Sequence, residues 1–191
     1  MKNLRHLCMA TAVCFAVACN NSNDHKDSVD SAEHMNEQKQ MNDTGTTAKV
    51  NHQAADFAVK AAAGGMMEVE FGKLAQQKGS QKVKEFGAMM VKHHGEMNEK
   101  LKKVAAAKNI TLPAEISSEA KTKWDDLNKK SGKDFDKAYV DLMVDDHQKD
   151  LDFFKDNAEN QPDADLRALA KEGVPVIQTH LNAVKAMKDK M

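Results

Sequence analysis

Four segments of this chain repeat apolar side chains at alternating steps of three and four, and almost none repeat at steps of two. Steps of three and four return side chains to one face of a 3.6-residue helix, whereas a strand needs strict alternation. The first stripe is Phe57, Ala61, Gly64, Glu68, Phe71 and Ala75, and the second is Val83, Gly87, Met90, His94, Met97, Leu101 and Val104. The third is Val140, Met143, His147, Leu151 and Phe154, and the fourth is Leu169, Gly173, Val176, His180, Val184 and Met187. Proline occurs only at 113, 162 and 175, and Ala, Lys, Glu, Met and Leu, all good helix formers, dominate the rest. Four such faces can be buried only against one another, so the fold class is all-α, a four-helix bundle.

Punctuation places the boundaries. A first helix runs from about 52 to 78 and stops at Gly79-Ser80, where Ser80 can cap a second helix reaching about 108. Asn109 to Pro113 is a break. Ser117 or Ser118 then opens a short helix through Trp124 and Leu127, closed by Ser131-Gly132. A third long helix spans about 133 to 159, Asn160-Gln161-Pro162 turns the chain, and Asp163 opens a fourth that nearly reaches the end. The bundle therefore carries an extra short helix between its second and third long helices. Residues 51–191 are the size of one ordinary domain.

Each stripe holds one metal-capable residue near mid-helix: Glu68, His94, His147 and His180. Counted from the turn near Gly79, Glu68 and His94 differ in axial level by about 6 Å at the helical rise. Counted from Gln161, His147 and His180 differ by about 8 Å, with Pro175 one turn before His180 able to bend the helix. An unpartnered charge in a core costs several kcal/mol or is neutralised, so four such groups at one level satisfy each other or share a ligand. One zinc, iron or copper ion suits one carboxylate and three imidazoles. A metal-free polar network suits them equally. Glu70 rivals Glu68, and His93 rivals His94, because half a turn exchanges which one faces inward. Asp146 and Asp150 flank His147 and read as solvated groups or as outer acceptors for it. Met66, Met67, Met89, Met90, Met97 and Met143 share these helices, either as copper-favouring thioethers or as flexible core filler.

The N-terminus speaks of export. Lys2 and Arg5 precede an apolar run, Leu7 to Ala18, too short for a permanent membrane span. Phe15-Ala16-Val17-Ala18-Cys19 resembles a bacterial lipoprotein signal, although Ala16 stands where leucine is usual. Cleavage would leave Cys19 lipidated at the new N-terminus, making residues 1–19 a signal and the chain an envelope lipoprotein, expected at the outer membrane. A plain secretory signal and an uncleaved anchor are the competing readings. The three cysteines are Cys8, Cys14 and Cys19, which excludes disulfides, thiolate metal ligands and cysteine nucleophiles beyond the signal. Residues 20–50 are Asn, Ser, Asp, Lys, Gln and Thr with little to bury, and read as a disordered tether spanning roughly 30 Å. Net charge is −1, from 28 basic and 29 acidic residues interspersed along the chain, so nucleic acid is not an expected partner.

Several runs resemble one protein family. Gly64-Gly65-Met66-Met67-Glu68-Val69-Glu70-Phe71-Gly72-Lys73-Leu74-Ala75 is similar to its first signature, and Met90-Val91-Lys92-His93-His94 with Asn98 and Leu101 to its second. Phe135-Asp136-Lys137-Ala138-Tyr139-Val140 with Asp146-His147 is similar to the third, and Pro175 with His180-Leu181 to the last. The chain thus resembles, from about 51 to 187, the bacterial exported domain-of-unknown-function 4142 family. That resemblance implies a ferritin-like bundle in the periplasm or on the outer membrane, with no established activity. Di-iron bundles pair each histidine with a glutamate three residues earlier. Here Val91 and Val144 hold those places, so one metal or none fits better than an iron oxidase. Three functions stay open: a metal-holding envelope bundle, a small metal-dependent oxidoreductase, and a metal-free module binding a protein partner in the envelope. Whether the chain is an enzyme is not decided by its sequence.

Overall fold

The structure, a computed structural model, describes residues 27–41 and 51–191. Six helices form: α1 (Ser28–Met41), α2 (His52–Lys78), α3 (Gln81–Ala107), α4 (Ser118–Asn128), α5 (Gly132–Asn160) and α6 (Ala164–Lys188). No strand is present among the described residues. The four long helices and the short α4 begin and end within a few residues of the positions their caps and turns predict.

Local chemistry sets those ends. Asn51, Ser117 and Asp163 accept backbone N–H groups of Ala54, Ala120 and Leu166, which starts α2, α4 and α6. Ser80 occupies the cap position of α3 without a side-chain bond; its N–H instead donates to Asp136 Oδ1 at 3.0 Å, tying the α2–α3 turn to the start of α5. Beyond α3, Asn109 takes the left-handed conformation, φ 56°. Ile110 N–H then reaches back to Ala105 O at 2.9 Å and Asn109 N–H to Ala106 O at 3.2 Å. This paired closure is the one that left-handed asparagine permits at a helix end.

Side-chain contacts give the helix directions. Phe57 near the start of α2 packs on Phe153 and Phe154 near the end of α5, so these two run antiparallel. Lys108 after α3 pairs with Asp163 and Asp165 at the start of α6, and Lys100 with Glu172, so α3 and α6 are antiparallel too. Phe86 and Tyr139, each early in its helix, meet edge to face, which makes α3 and α5 parallel. The order is up, down, down, up, with residues 108–131 and α4 travelling the bundle's length. One long crossover is the connectivity of ferritin-like folds. The core between the helices is led by Phe57, Phe71, Leu74, Met90, Phe135 and Tyr139. Of the fourth stripe, Val176 is only half buried, and its neighbour Ile177 is the core residue.

The α2–α3 pair is close because of two glycines. A Cβ on Gly72 would stand 2.7 Å from Gly87 O, and one on Gly87 would stand 2.6 Å from Gly72 O. Backbone meets backbone there, and neither side can yield without moving a helix.

The expected tether over 20–50 is corrected at its middle. Residues 28–41 form α1, which lies against α2 and against the beginning of the crossover. What orders it is polar rather than apolar. The buried Asn36 amide donates to Thr111 O at 2.9 Å and accepts Thr111 N–H at 2.7 Å, as a neighbouring strand would. Lys39 reaches Asn109 O and Thr111 Oγ1, Ser28 Oγ accepts the N–H groups of Ala114 and Glu115, and the Asp27 carboxylate accepts from Ser118. Composition undercounts such a segment because it buries only Ala32 and Asn36 deeply. The rest of the expected tether, and Cys19 with the whole signal, lie outside the described residues. No described helix is long and apolar enough to cross a membrane.

Two outcomes test this packing. Gly72→Ala gains helix propensity of about 1 kcal/mol but forces two backbones apart, so urea denaturation should show a net loss of about 1–3 kcal/mol. Asn36→Ala leaves both polar groups of the Thr111 backbone unpaired, at about 1–3 kcal/mol. Hydrogen exchange should then speed up over residues 28–41 while protection of 52–188 holds; equal loss across the bundle would mean that α1 is integral to the core.

Candidate metal centre

The fold brings Glu68 of α2, His94 of α3, His147 of α5 and His180 of α6 to one level in the core, all with 3% exposure or less. Each is the polar member of an otherwise apolar stripe, so bundle formation alone turns it inward. Glu70, the rival of Glu68, faces outward and pairs with Lys73 at 2.7 Å. His93, the rival of His94, is not excluded. It is half buried and stacks on His180, with ring planes 8° apart and centroids 5.1 Å apart. Adjacent residues on α3 therefore both serve the cluster, one from its middle and one from its edge.

Contacts between ring nitrogens form a chain. His93 Nδ1 lies 2.8 Å from His180 Nε2, and His180 Nδ1 lies 3.1 Å from His94 Nε2. His94 Nδ1 lies 2.6 Å from Glu68 Oε2, and His147 Nδ1 lies 3.2 Å from Glu68 Oε1. Both carboxylate approaches have ion-pair distance without hydrogen-bond alignment, so both Glu68 oxygens lack a hydrogen-bond partner. His147 Nδ1 is also 2.9 Å from Met143 O. A carbonyl only accepts, so Nδ1 carries the hydrogen and Nε2 of the neutral ring is a bare lone pair. That Nε2 is buried and has no partner.

Burial decides the charge states. It pushes His94 down to about 4, against a small opposing pull from Asp146. It pushes His180 down to about 2, and the fields of His94, His147 and His93 add to it. His147 is lowered by burial too, with Glu68 opposing. The rings are therefore neutral at ordinary pH, which is the form that binds metals. Glu68 moves the other way: burial raises it to about 7, His147 opposes, and Asp146 adds to the rise.

One nitrogen from each of His94, His147 and His180 lies within 4.8 Å of one from each of the others. Ligands at 2.0–2.1 Å from a tetrahedral ion stand about 3.3 Å apart, close to the His94–His180 separation. One nitrogen of each ring faces a protein group: Nδ1 of His94 faces Glu68, Nδ1 of His147 faces Met143 O and Nε2 of His180 faces His93. Such outer partners fix ring orientation in metal sites. The buried histidines and Glu68 thus form a group that can hold a metal ion.

Asp146 and Asp150, read from the stripe as solvated in the first instance, are instead half buried. A carboxylate oxygen from each lies within 4.8 Å of one of Glu68. The sequence carries a signal for this: each stands three residues after an inward residue, Met143 and His147, on the shoulder of the stripe. Burial raises Asp146 and raises Asp150 well above the carboxylate range, with Glu68 and Asp146 adding to the latter. Met67, Met90 and Met143 are buried in the apolar core, which favours the core-filling role. Valine at 91 and 144, each half buried, stands where a di-iron bundle would place its paired glutamates.

No curated protein and no solved structure matches this chain. The family described as Domain of unknown function (DUF4142) matches residues 23–187, which takes in α1 as well as the bundle. With the match spanning most of its length, the chain belongs to that family.

Proposed function

We propose that this chain is a metal-binding bundle of the bacterial cell envelope, holding one transition-metal ion on His94, His147 and His180. The observation that carries this is the bare, buried Nε2 of His147, whose Nδ1 is committed to Met143 O. A core lone pair facing no donor costs about 1–3 kcal/mol, and a cation removes that cost. Glu68 then acts from behind His94 and His147, orienting the rings and offsetting the ion's charge, rather than as the fourth ligand. Binding needs little rearrangement. Without the ion, one proton bridges His180 Nδ1 and His94 Nε2 at 3.1 Å; moving it to the outer nitrogen of its own ring frees both inner nitrogens to ligate. Three imidazoles suit zinc, copper or iron better than the hard alkaline-earth ions. The envelope location is supported by the basic n-region, the apolar run and Cys19, the last cysteine in the chain and the expected lipidation site. Membrane attachment through that lipid would place the ion-holding bundle outside the cytoplasm.

Elemental analysis of the chelator-stripped full chain after exposure to Zn2+ should find about one equivalent, lost in a His94→Ala/His147→Ala variant. Co2+ should give the intense visible bands of a four-coordinate ion in the parent only. A parent that takes up no transition metal leaves the four residues as a polar network.

The charge states predict a pH effect with a definite sign in the metal-free protein. Glu68 is raised from 4.5 to about 7, so its contribution to stability is full below 4.5 and is lost as pH rises through 7. His94, lowered from 6.5 to about 4, has the opposite sign: its contribution is full above 6.5 and is lost as pH falls through 4. Glu68→Gln removes the first effect alone. Its stability relative to the parent should rise between pH 4.5 and 7 by on the order of 2–3 kcal/mol, read from urea denaturation at several pH values. A difference that is flat with pH would mean that Glu68 stays ionised in the folded chain.

A further inference from the structure

We propose that Glu68, Asp146 and Asp150 form a second, all-oxygen site for a hard divalent cation of the Mn2+, Mg2+ or Ca2+ class, beside the histidine site. One carboxylate oxygen from each residue lies within 4.8 Å of one from each of the others, a spacing that a single ion can bridge. Three carboxylates together are common without an ion when water or lysines serve them. Here burial keeps bulk water from three of the six oxygens. Glu68 is fully buried with neither oxygen hydrogen-bonded, and Asp146 Oδ2 is also buried without a partner. Among the described residues no lysine or arginine pairs with any of the three. Lys60, whose chain runs alongside, gives its ammonium to Asp56 at 2.8 Å, and Lys123 gives its own to Glu119 at 2.6 Å.

Space is present as well. A cavity of about 20 Å³ lies against two of the three carboxylates, Glu68 and Asp150, beside Lys60 and the Gly64-Gly65 pair, enough for one water-sized occupant. Gly64 borders it, and a Cβ there would stand in ordinary contact, 3.9 Å, with both Asp150 oxygens. Carboxylates alone, with no imidazole in the group, select hard cations over soft ones. Glu68 belongs to both constellations, since its oxygens also face His94 Nδ1 and His147 Nδ1. The oxygen site rests on different donors from the histidine site and stands whether or not that site binds metal.

The test titrates the chelator-stripped full chain with Mn2+, following loss of the free-ion electron paramagnetic resonance signal. About one Mn2+ should bind per chain, and Mg2+ or Ca2+ should displace it. An Asp146→Asn/Asp150→Asn variant should bind Mn2+ at least about tenfold more weakly, the loss seen even for outer partners of a metal site. The same variant should still take up Zn2+, and His94→Ala/His147→Ala should still bind Mn2+. If the aspartate variant does not fold, the parent decides: an all-oxygen site gives bound Mn2+ without nitrogen hyperfine coupling. Nitrogen coupling, or loss of Mn2+ binding in the histidine variant alone, would put the ion on the imidazoles and overturn the proposal. So would a parent that binds none of the three ions, or an aspartate variant that binds Mn2+ as the parent does. Loss of Zn2+ uptake with Mn2+ binding intact would instead sink the histidine reading alone.

Discussion

The Glu68 carboxylate, fully buried and facing the Nδ1 atoms of two histidines, is the contact on which the centre of this bundle depends. A carboxylate in a helical core must either find partners for its charge or keep its proton. Glu68 sits between these limits, pushed up to about 7, because burial raises it while His147 pulls it back. Everything at that level is arranged around it. His94 and His147 face its two oxygens, His180 is set against His94, and His93 closes the chain from the half-buried edge.

Four polar groups at mid-core cost stability, and the rest of the fold shows where that is offset. Above and below the level the core is apolar and aromatic, with Phe57 against Phe153 and Phe154 at one end and Phe86 against Tyr139 at the other. The Gly72–Gly87 contact draws α2 and α3 together just beyond Glu68, so that carboxylate and imidazole meet without long side chains having to bridge a gap. The Tyr139 hydroxyl, also buried and unpartnered, marks the boundary between the polar level and the aromatic layer. Burial and the Glu68 charge both raise its pKa, so it stays protonated.

How much of this is legible in the sequence depends on whether periodicity or orientation carries the information. The four stripes identify the long helices and the inward position of His147 and His180, and they narrow the other two to Glu68 or Glu70 and His94 or His93, because a 3.6-residue period fixes which face is buried but not its exact centre. Orientation within that face is not legible. A stripe cannot say that Glu68 meets Nδ1 rather than Nε2 atoms, nor that His93 and His94, one residue apart, reach the same partner ring from different sides. Asp146 and Asp150 read as solvated because a stripe taken as a line ignores its shoulders, and a helix packed against two neighbours buries both shoulders. The helix α1 escapes the sequence for a different reason. Its order comes from Asn36 pairing with the Thr111 backbone, a long-range polar match between a bland helix and an irregular loop, and composition registers neither partner.

The distribution of the polar groups over the topology has a consequence for how the bundle responds to an ion. Glu68, His93 and His94 belong to the α2–α3 hairpin, whereas Asp146, His147, Asp150 and His180 belong to the α5–α6 hairpin. Neither hairpin carries a complete donor set. An ion held by both therefore binds only the assembled bundle, and its binding free energy adds to the stability of that assembly. Without it, the same surfaces bring unpaired acceptors together, and the two hairpins are held at this level by the surrounding apolar layers. That polar level is the seam between the two halves, so an ion bound there would act on the packing of both hairpins at once.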